Sequence, residues 1–369
     1  MTLLQLTLKN LTRRPTRTVL TIMGIGVGIG AVVALLGLAW GLGQSWEDAY
    51  AARGTDLVVR SSSGGFIAQP FDDKLIDTIR QQPEVDLAAN LLTEVISVEE
   101  APLVVVSGRE WGSYLWDTMN IVEGRKPKDG QEKAVVLGTV AAEMLNKKVG
   151  DTVTVEIDEY KVVGIADGKA VVENGSVFLS LEQLQKTVEK EGKVNFINVR
   201  LKDRTSPPEA IKVKIQSILP DSKIDLAGDV MRSNDAVKSF QAMNWGTSLI
   251  ALLVGTFGVM NTMFMSVFER TREIGVLLAL GWRRSRILRM IVYESMALCV
   301  AAGFLGIGLG VALLKIMALT PWMHGKLEPH IGLDLIGLAM GLAVGVGLFS
   351  GLYPALRCTQ INPATALRQ

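Results

Sequence analysis

The chain holds two histidines, His324 and His330, six residues apart with Glu328 between them. Two imidazoles and a carboxylate are a usable donor set for zinc, but no regular helix aims them at one point, so they read as a solvated loop that holds no metal. Cys299 and Cys358 lie within or beside apolar runs and read as packing residues, with no disulfide framework for a polar domain. No Gly-x-x-x-x-Gly-Lys-Ser/Thr occurs, so there is no P-loop for ATP. Gly26-Val27-Gly28-Ile29-Gly30-Ala31 has the spacing of a dinucleotide loop but sits inside an uncharged run with no strand before it. Ser61 to Gly65 matches an ATPase signature only superficially and reads as a flexible loop. No paired acids, activated nucleophile or metal cluster remains. The chain is therefore read as non-catalytic, without a cofactor of its own and without a nucleic-acid partner.

The elements that carry these residues are mostly membrane spans. Ser239 to Phe268 is thirty residues without a charge, longer than the roughly 20 a helix needs to cross a bilayer. Thr18 to Trp46 is a second such run, a third span starts after Glu294 with the apolar block Ser295 to Leu314 and reaches to about Leu319, and a fourth run covers Leu335 to Leu356. Residues 47–238 hold 24 basic and 32 acidic residues, 56 of the chain's 75 charges, with a net of −8. The segments 1–17, 269–294 and 357–369 carry 12 basic and 3 acidic residues, a net of +9. Arginines near span ends mark the cytoplasmic side, so both termini and the 269–294 segment are expected inside, with 47–238 and the 320–334 loop outside. A cleaved signal peptide is the rival reading of residues 1–46, and it leaves only three spans.

The expected fold is a polytopic α-helical membrane protein with four spans in a one-plus-three layout (18–46, 239–268, 295–319, 335–356). A mixed α and β extracytoplasmic domain (47–238) separates the first two. Strands are expected at Asp56–Arg60, Leu103–Ser107, Ala134–Leu137, Thr152–Ile157, Tyr160–Ile165, Ser176–Leu179 and Asn195–Leu201. Helices are expected at Asp72–Gln81, Thr139–Leu145, Leu181–Glu191 and Pro208–Ile218. Period-2 alternation around Asp158 and Glu159 predicts a hairpin turning there.

Small residues four apart let helix backbones approach in lipid. The pairs Gly24 and Gly28, Gly26 and Gly30, Gly306 and Gly310, Gly341 and Gly345, and Gly347 and Gly351 are candidates for packing within the chain or against a second copy. Residues 2–12 place Leu3, Leu4, Leu8 and Leu11 at helical spacing ahead of Arg13, Arg14 and Arg17, as an amphipathic helix lying on membrane lipid would. Glu269 to Arg289 reads as a cytoplasmic helix interrupted at Gly281, with Ile274, Leu277, Leu278 and Leu280 on an apolar side and Arg283, Arg284, Arg286 and Arg289 on a basic one.

The run Glu269-Arg270-Thr271-Arg272-Glu273-Ile274-Gly275 through Gly281, with Glu294 downstream, resembles the MacB-like, FtsX-domain family of ABC transporter permeases. Gly351-Leu352-Tyr353-Pro354-Ala355-Leu356-Arg357 and Asn362-Pro363-Ala364 resemble that family's end, and Val135-Val136-Leu137-Gly138, Gly150-Asp151 and Val162-Val163-Gly164-Ile165 its external domain. The resemblance implies a mechanotransmission permease, paired as a homodimer and bound to a separate ABC ATPase that carries ATP and Mg. Glu269, Arg270, Glu273, Ile274 and Gly275 would form the ATPase-coupling helix, with Gly281 the bend after it. Only about 17 residues precede the first span, so the motor is expected on another chain.

The resemblance further implies residence in a bacterial inner membrane. Export of a hydrophobic or amphipathic compound is the first expectation, with a periplasmic adaptor (membrane fusion protein) and an outer-membrane duct as further partners. Trp111, Tyr114 and Trp116 would be the adaptor contact if exposed. Extraction of lipoprotein or lipid, or regulation of a cell-wall hydrolase without transport, is the alternative. A four-span receptor without a motor is the rival class.

Overall fold

The computed structural model describes residues 15–63, 65, 67–168, 170–203, 208–319 and 329–359. The expected helix at 2–12, the residues His324 and Glu328, and the tail motif at 362–364 lie outside these residues. The first helix, α1 (Pro15–Arg53), leads into strand β1 (Leu57–Ser61), the short β2 (Phe71–Asp72) and helix α2 (Leu75–Arg80). A long hairpin, β3 (Val85–Val98) and β4 (Ala101–Arg109), is followed by α3 (Tyr114–Asp117), β5 (Asn120–Gly124), β6 (Ala134–Gly138) and α4 (Thr139–Leu145). A second hairpin, β7 (Thr152–Val155) and β8 (Asp158–Asp167), precedes α5 (Val171–Asn174), β9 (Val177–Ser180) and α6 (Leu181–Thr187). Then come β10 (Lys193–Val194), β11 (Phe196–Leu201), α7 (Pro208–Ile218), β12 (Ser222–Leu226) and α8 (Val230–Ser233). Four helices close the described chain: α9 (Asp235–Glu269), α10 (Thr271–Ala279), α11 (Arg284–Leu319) and α12 (Leu333–Thr359).

The chain divides into two units. One comprises Met1–Ala39, Ala242–Ile316 and His330–Gln369, the other Trp40–Gln241 and Met317–Pro329. In the first, α1, α9, α11 and α12 are each long and apolar enough to cross a membrane.

The second unit is built on one mixed sheet in the order β12-β1-β11-β3-β4-β9-β6-β8-β5, with β7 paired to β3 and β8. β4 and β9 run parallel, as do β6 and β8, and the other pairs in this sheet are antiparallel. One face carries the larger core, with Leu57, Val59, Leu92, Val106, Leu137 and Ile197 buried. The other packs Val58, Leu91 and Phe196 against Tyr50 at the end of α1 and Tyr114 of α3. α4 and α7 match their expected ends. Pro208 opens α7 at the first helical position, where its fixed φ suits and its missing N–H costs nothing.

The second hairpin turns at Glu156 and Ile157, two residues before the expected Asp158 and Glu159, because Val155 pairs with Asp158 and Glu156 takes a φ of +56°. The third span also differs from expectation. α11 starts at Arg284, so Arg284, Arg286 and Arg289 ride on its first two turns and are not part of the helix before Gly281.

Candidate functional site

The segment between the second and third apolar helices is held at both ends. α9 stops where the Arg270 N–H donates to Val267 O at 3.1 Å and Thr271 Oγ1 donates to Phe268 O at 2.8 Å. α10 then begins with the Ile274 N–H donating to Arg270 O at 2.9 Å. It ends in a Schellman turn: the Gly281 N–H donates to Leu278 O and the Trp282 N–H to Leu277 O, both at 3.0 Å, with Gly281 at φ +87°. A Cβ is costly in that left-handed conformation, so glycine at 281 is what lets the helix stop there.

Arg270 does not face outward with the rest of the segment. Its Nη1 lies 3.3 Å from both carboxylate oxygens of Glu294 on α11, which is only 8% exposed at its side chain. Of the expected coupling residues, Ile274 and Gly275 are buried within the chain. The third span begins eleven residues early, at Arg284. Leu280, expected on the apolar side, is 73% exposed. The outward stripe of α10 is Arg272, Glu273, Val276 and Ala279, continued by Leu280, with Glu269 exposed just before it. Charge with two aliphatic contacts on a nine-residue helix is suited to docking a protein.

Removing one partner of the Arg270 and Glu294 pair leaves the other partly buried and uncompensated. A double-mutant cycle on Arg270→Met and Glu294→Gln is expected to give a coupling energy of about 1–3 kcal/mol in thermal unfolding of the detergent-solubilised chain. A value near zero would mean that the pair does not hold the segment.

Among the candidate glycines, some meet neighbours and some do not. A Cβ on Gly306 of α11 would fall 2.6 Å from Gly26 O of α1, and one on Gly310 would fall 2.8 Å from Gly30 O. Gly28 faces Ala251 of α9 at 3.5 Å, whereas Gly24, Gly341 and Gly345 have no neighbour within 4 Å and are not packing positions in the single chain. Across α11 and α12, Ser295 Oγ donates to Gly347 O at 2.7 Å, and a side chain on Gly351 would strike that hydroxyl. Between α1 and α9 lies an apolar groove of about 710 Å³, lined by residues including Leu20, Gly24, Gly28, Val254 and Gly258.

The aromatic trio resolves differently from expectation. Tyr114 and Trp116 are buried and so are not available as an adaptor contact. Trp116 Nε1 donates to Arg109 O at 3.2 Å, and Tyr114 Oη lies 3.2 Å from Thr55 Oγ1 with the Arg200 guanidinium 4.4 Å over its ring. Trp111 is half-buried beside a hollow of about 320 Å³ that also holds the Arg80 and Glu110 pair. Among the described residues no group of three metal-binding side chains occurs, and His330 Nε2 sits 2.9 Å from Asp334.

Sequence reasoning passed over two buried ion clusters. Arg53 Nε and Arg109 Nη2 share Glu173 Oε1 at 2.7 and 2.6 Å, and Arg60 Nε meets Asp225 Oδ2 at 2.9 Å. Burial alone would push the Glu173 carboxyl up, but the two guanidinium groups together hold it below the usual carboxylate range. Burial brings the Arg109 guanidinium down to about 10, still protonated at neutral pH. The available signal was an arginine closing an apolar strand, Arg60 after Leu57-Val58-Val59 and Arg109 after Val104-Val105-Val106.

Residues 18–216 match the MacB-like periplasmic core domain, and residues 245–363 match the FtsX-like permease C-terminal domain. An ABC transporter permease of Methanocaldococcus jannaschii is 29% identical over 98% of this chain and 96% of its own length. The macrolide export ATP-binding/permease protein MacB of Brucella melitensis is 30% identical over 95% of this chain, which spans only 58% of that protein. The crystallised periplasmic region of MacB from Actinobacillus actinomycetemcomitans covers 50% of this chain and 94% of its own at 14% identity and a TM-score of 0.40, a likeness too weak to argue from.

Proposed function

Because the chain belongs to the family that joins a MacB-like periplasmic core domain to an FtsX-like permease C-terminal domain, we propose that it couples ATP hydrolysis by a partner ABC ATPase to motion of its sheet domain. It is an ABC transporter permease of the MacB-like type. The ATPase would supply ATP and Mg chemistry, since no P-loop occurs in the 369 residues. The observation that carries the reading is α10. It is a short helix with an outward stripe of Arg272, Glu273, Val276 and Leu280, pinned by the Arg270 and Glu294 pair and by the turn at Gly281. A pinned element passes a push to the helices on either side of it. ATP-driven closure of two motor subunits needs only a few kcal/mol of preference to select one arrangement.

The basic ends of the apolar helices favour a cytoplasmic side for α10 and an external side for residues 47–238, in an inner membrane with both termini inside. A second copy is the proposed neighbour of α9. Only 17% of that helix's apolar stretch is buried within the chain, against 50% for α1, and the glycine-lined groove beside it leaves room for another helix. The cargo proposed is a hydrophobic or amphipathic compound, in line with the macrolide export named for the Brucella relative, with an adaptor and an outer-membrane duct as further partners.

Co-expression with an ABC ATPase from the same genome tests the motor. The wild-type chain is expected to co-purify with it, and Glu273→Arg, on the outward stripe, is expected to lose at least ~10-fold of the association, a charge reversal at an interface. Absence of association in both chains would replace the transporter reading with a motor-free receptor.

A further inference from the structure

Both leads into the sheet domain end on one face of the sheet. Cross-strand partners share a face, and the register Arg60, Phe196, Leu91, Arg109, Ser180 runs as one row through β1, β11, β3, β4 and β9. Arg60 and Arg109 are three strand spacings apart, about 14 Å. At the Arg109 end sits the last turn of α1. Arg53 shares Glu173 with Arg109, whose Nη1 also donates to Leu115 O at 2.7 Å. The α1 terminus is a Schellman turn at Gly54, φ +68°, and Arg200 caps it with bonds to Gly54 O and Arg53 O at 3.2 and 3.1 Å. At the Arg60 end sits the start of α9. Arg60 holds Asp225 and donates to Ser233 Oγ at 3.2 Å, Lys223 Nζ donates to Ser233 O at 2.6 Å, and Asn234 Oδ1 accepts the Ala236 N–H at 2.9 Å as an N-cap.

The two sockets are not equal. The Arg60 pair balances one charge with one. The other places two guanidinium groups on a single carboxylate oxygen, and Arg53 Nη1 and Arg109 Nε have no hydrogen-bond partner. Without Glu173, two buried like charges face each other across the contact that fastens α1 to the sheet.

We propose that this row is a two-point joint by which the helices α1 and α9 move the sheet, and that Glu173 is the positioning residue that locks the α1 point. The proposal deepens the motor-coupled reading and rests on it. Displacement of α1 is transmitted to β4 and β9 through Glu173 instead of being absorbed by slippage of the last helical turns over the sheet face.

Hydrogen exchange on the full chain in lipid nanodiscs, alone and with the bound ATPase and ATP, tests this. In the chain alone, Glu173→Gln is expected to speed exchange at residues 46–53 by at least ~10-fold, well beyond any change at Ala134–Gly138. Pairing Arg53→Glu with Glu173→Arg restores the cluster's charge count, one carboxylate to two guanidinium groups, and exchange is expected back within ~3-fold of wild type. Nucleotide is expected to alter exchange in the sheet domain of the wild-type and swapped chains but not of Glu173→Gln, with ATPase binding equal in all three. Unchanged exchange at 46–53 in Glu173→Gln, a swap that restores nothing, or a nucleotide response that survives Glu173→Gln each overturns the joint. A wild-type chain that binds no ATPase overturns the motor reading instead, whatever the exchange at 46–53 shows.

Discussion

Glu173→Gln is expected to lower the unfolding free energy of the sheet domain by about 3–5 kcal/mol, the cost of leaving a buried charge uncompensated. The glutamine keeps the shape and one acceptor oxygen but not the charge that two buried guanidinium groups share. A typical domain has about 5–15 kcal/mol in all, so the loss is a large fraction of the whole. Urea unfolding followed by tryptophan emission reads it, because Trp116 donates to the Arg109 carbonyl beside the cluster. A difference below about 1 kcal/mol would mean the cluster is energetically idle. The pH dependence has a definite sign. The carboxyl titrates lower in the folded chain than in the unfolded one, so its contribution is complete above the unfolded value near 4.5 and is lost as pH falls through the folded value. Wild type is therefore expected to lose stability below about pH 4.5, and Glu173→Gln to lose less over the same range.

The second large effect belongs to the membrane helices. Gly306→Leu places a side chain against the Gly26 carbonyl and the Ile29 side chain of α1. Backbone on both sides cannot swing away as a flexible side chain would, so the helices must separate. The expected cost is at the upper end of the ~1–3 kcal/mol of overpacking or beyond it. Gly310→Leu meets Gly30 O and Val33 in the same manner. Gly341→Leu and Gly345→Leu enter open space, and are expected to leave thermal unfolding of the single chain within about 0.5 kcal/mol of wild type. Equal effects at all four positions in a melting series in detergent would remove the α1 and α11 contact from the account.

By sequence all these glycines looked alike, since small residues four apart mark a face without naming the helix that faces it. Only the neighbours separate Gly306 from Gly341. The one-plus-three layout was legible because long uncharged runs and basic ends are local signals. Among the strands, β3 was missed altogether. Its middle, Ala88–Thr93, is buried on both faces, which removes the alternation that marks a half-exposed strand. The second hairpin was placed two residues late because Glu156 takes a left-handed conformation with no glycine or asparagine to announce it. At α10 the helix and its stop at Gly281 were readable, but its outward face was not, since that depends on what packs against it. Glu173 could not be found, as its partners lie 120 and 64 residues away.

The central claim is that ATP consumed beside α10 moves the sheet domain. The direct measurement is pulsed electron spin resonance on two copies spin-labelled through Ile157→Cys, at the 89% exposed tip of the second hairpin, with Cys299→Ala and Cys358→Ala, in nanodiscs with the bound ATPase. The account predicts that ATP shifts the distance between the labels by several ångströms and that Glu273→Arg abolishes the shift. An unchanged distance while ATP is bound and hydrolysed would contradict it.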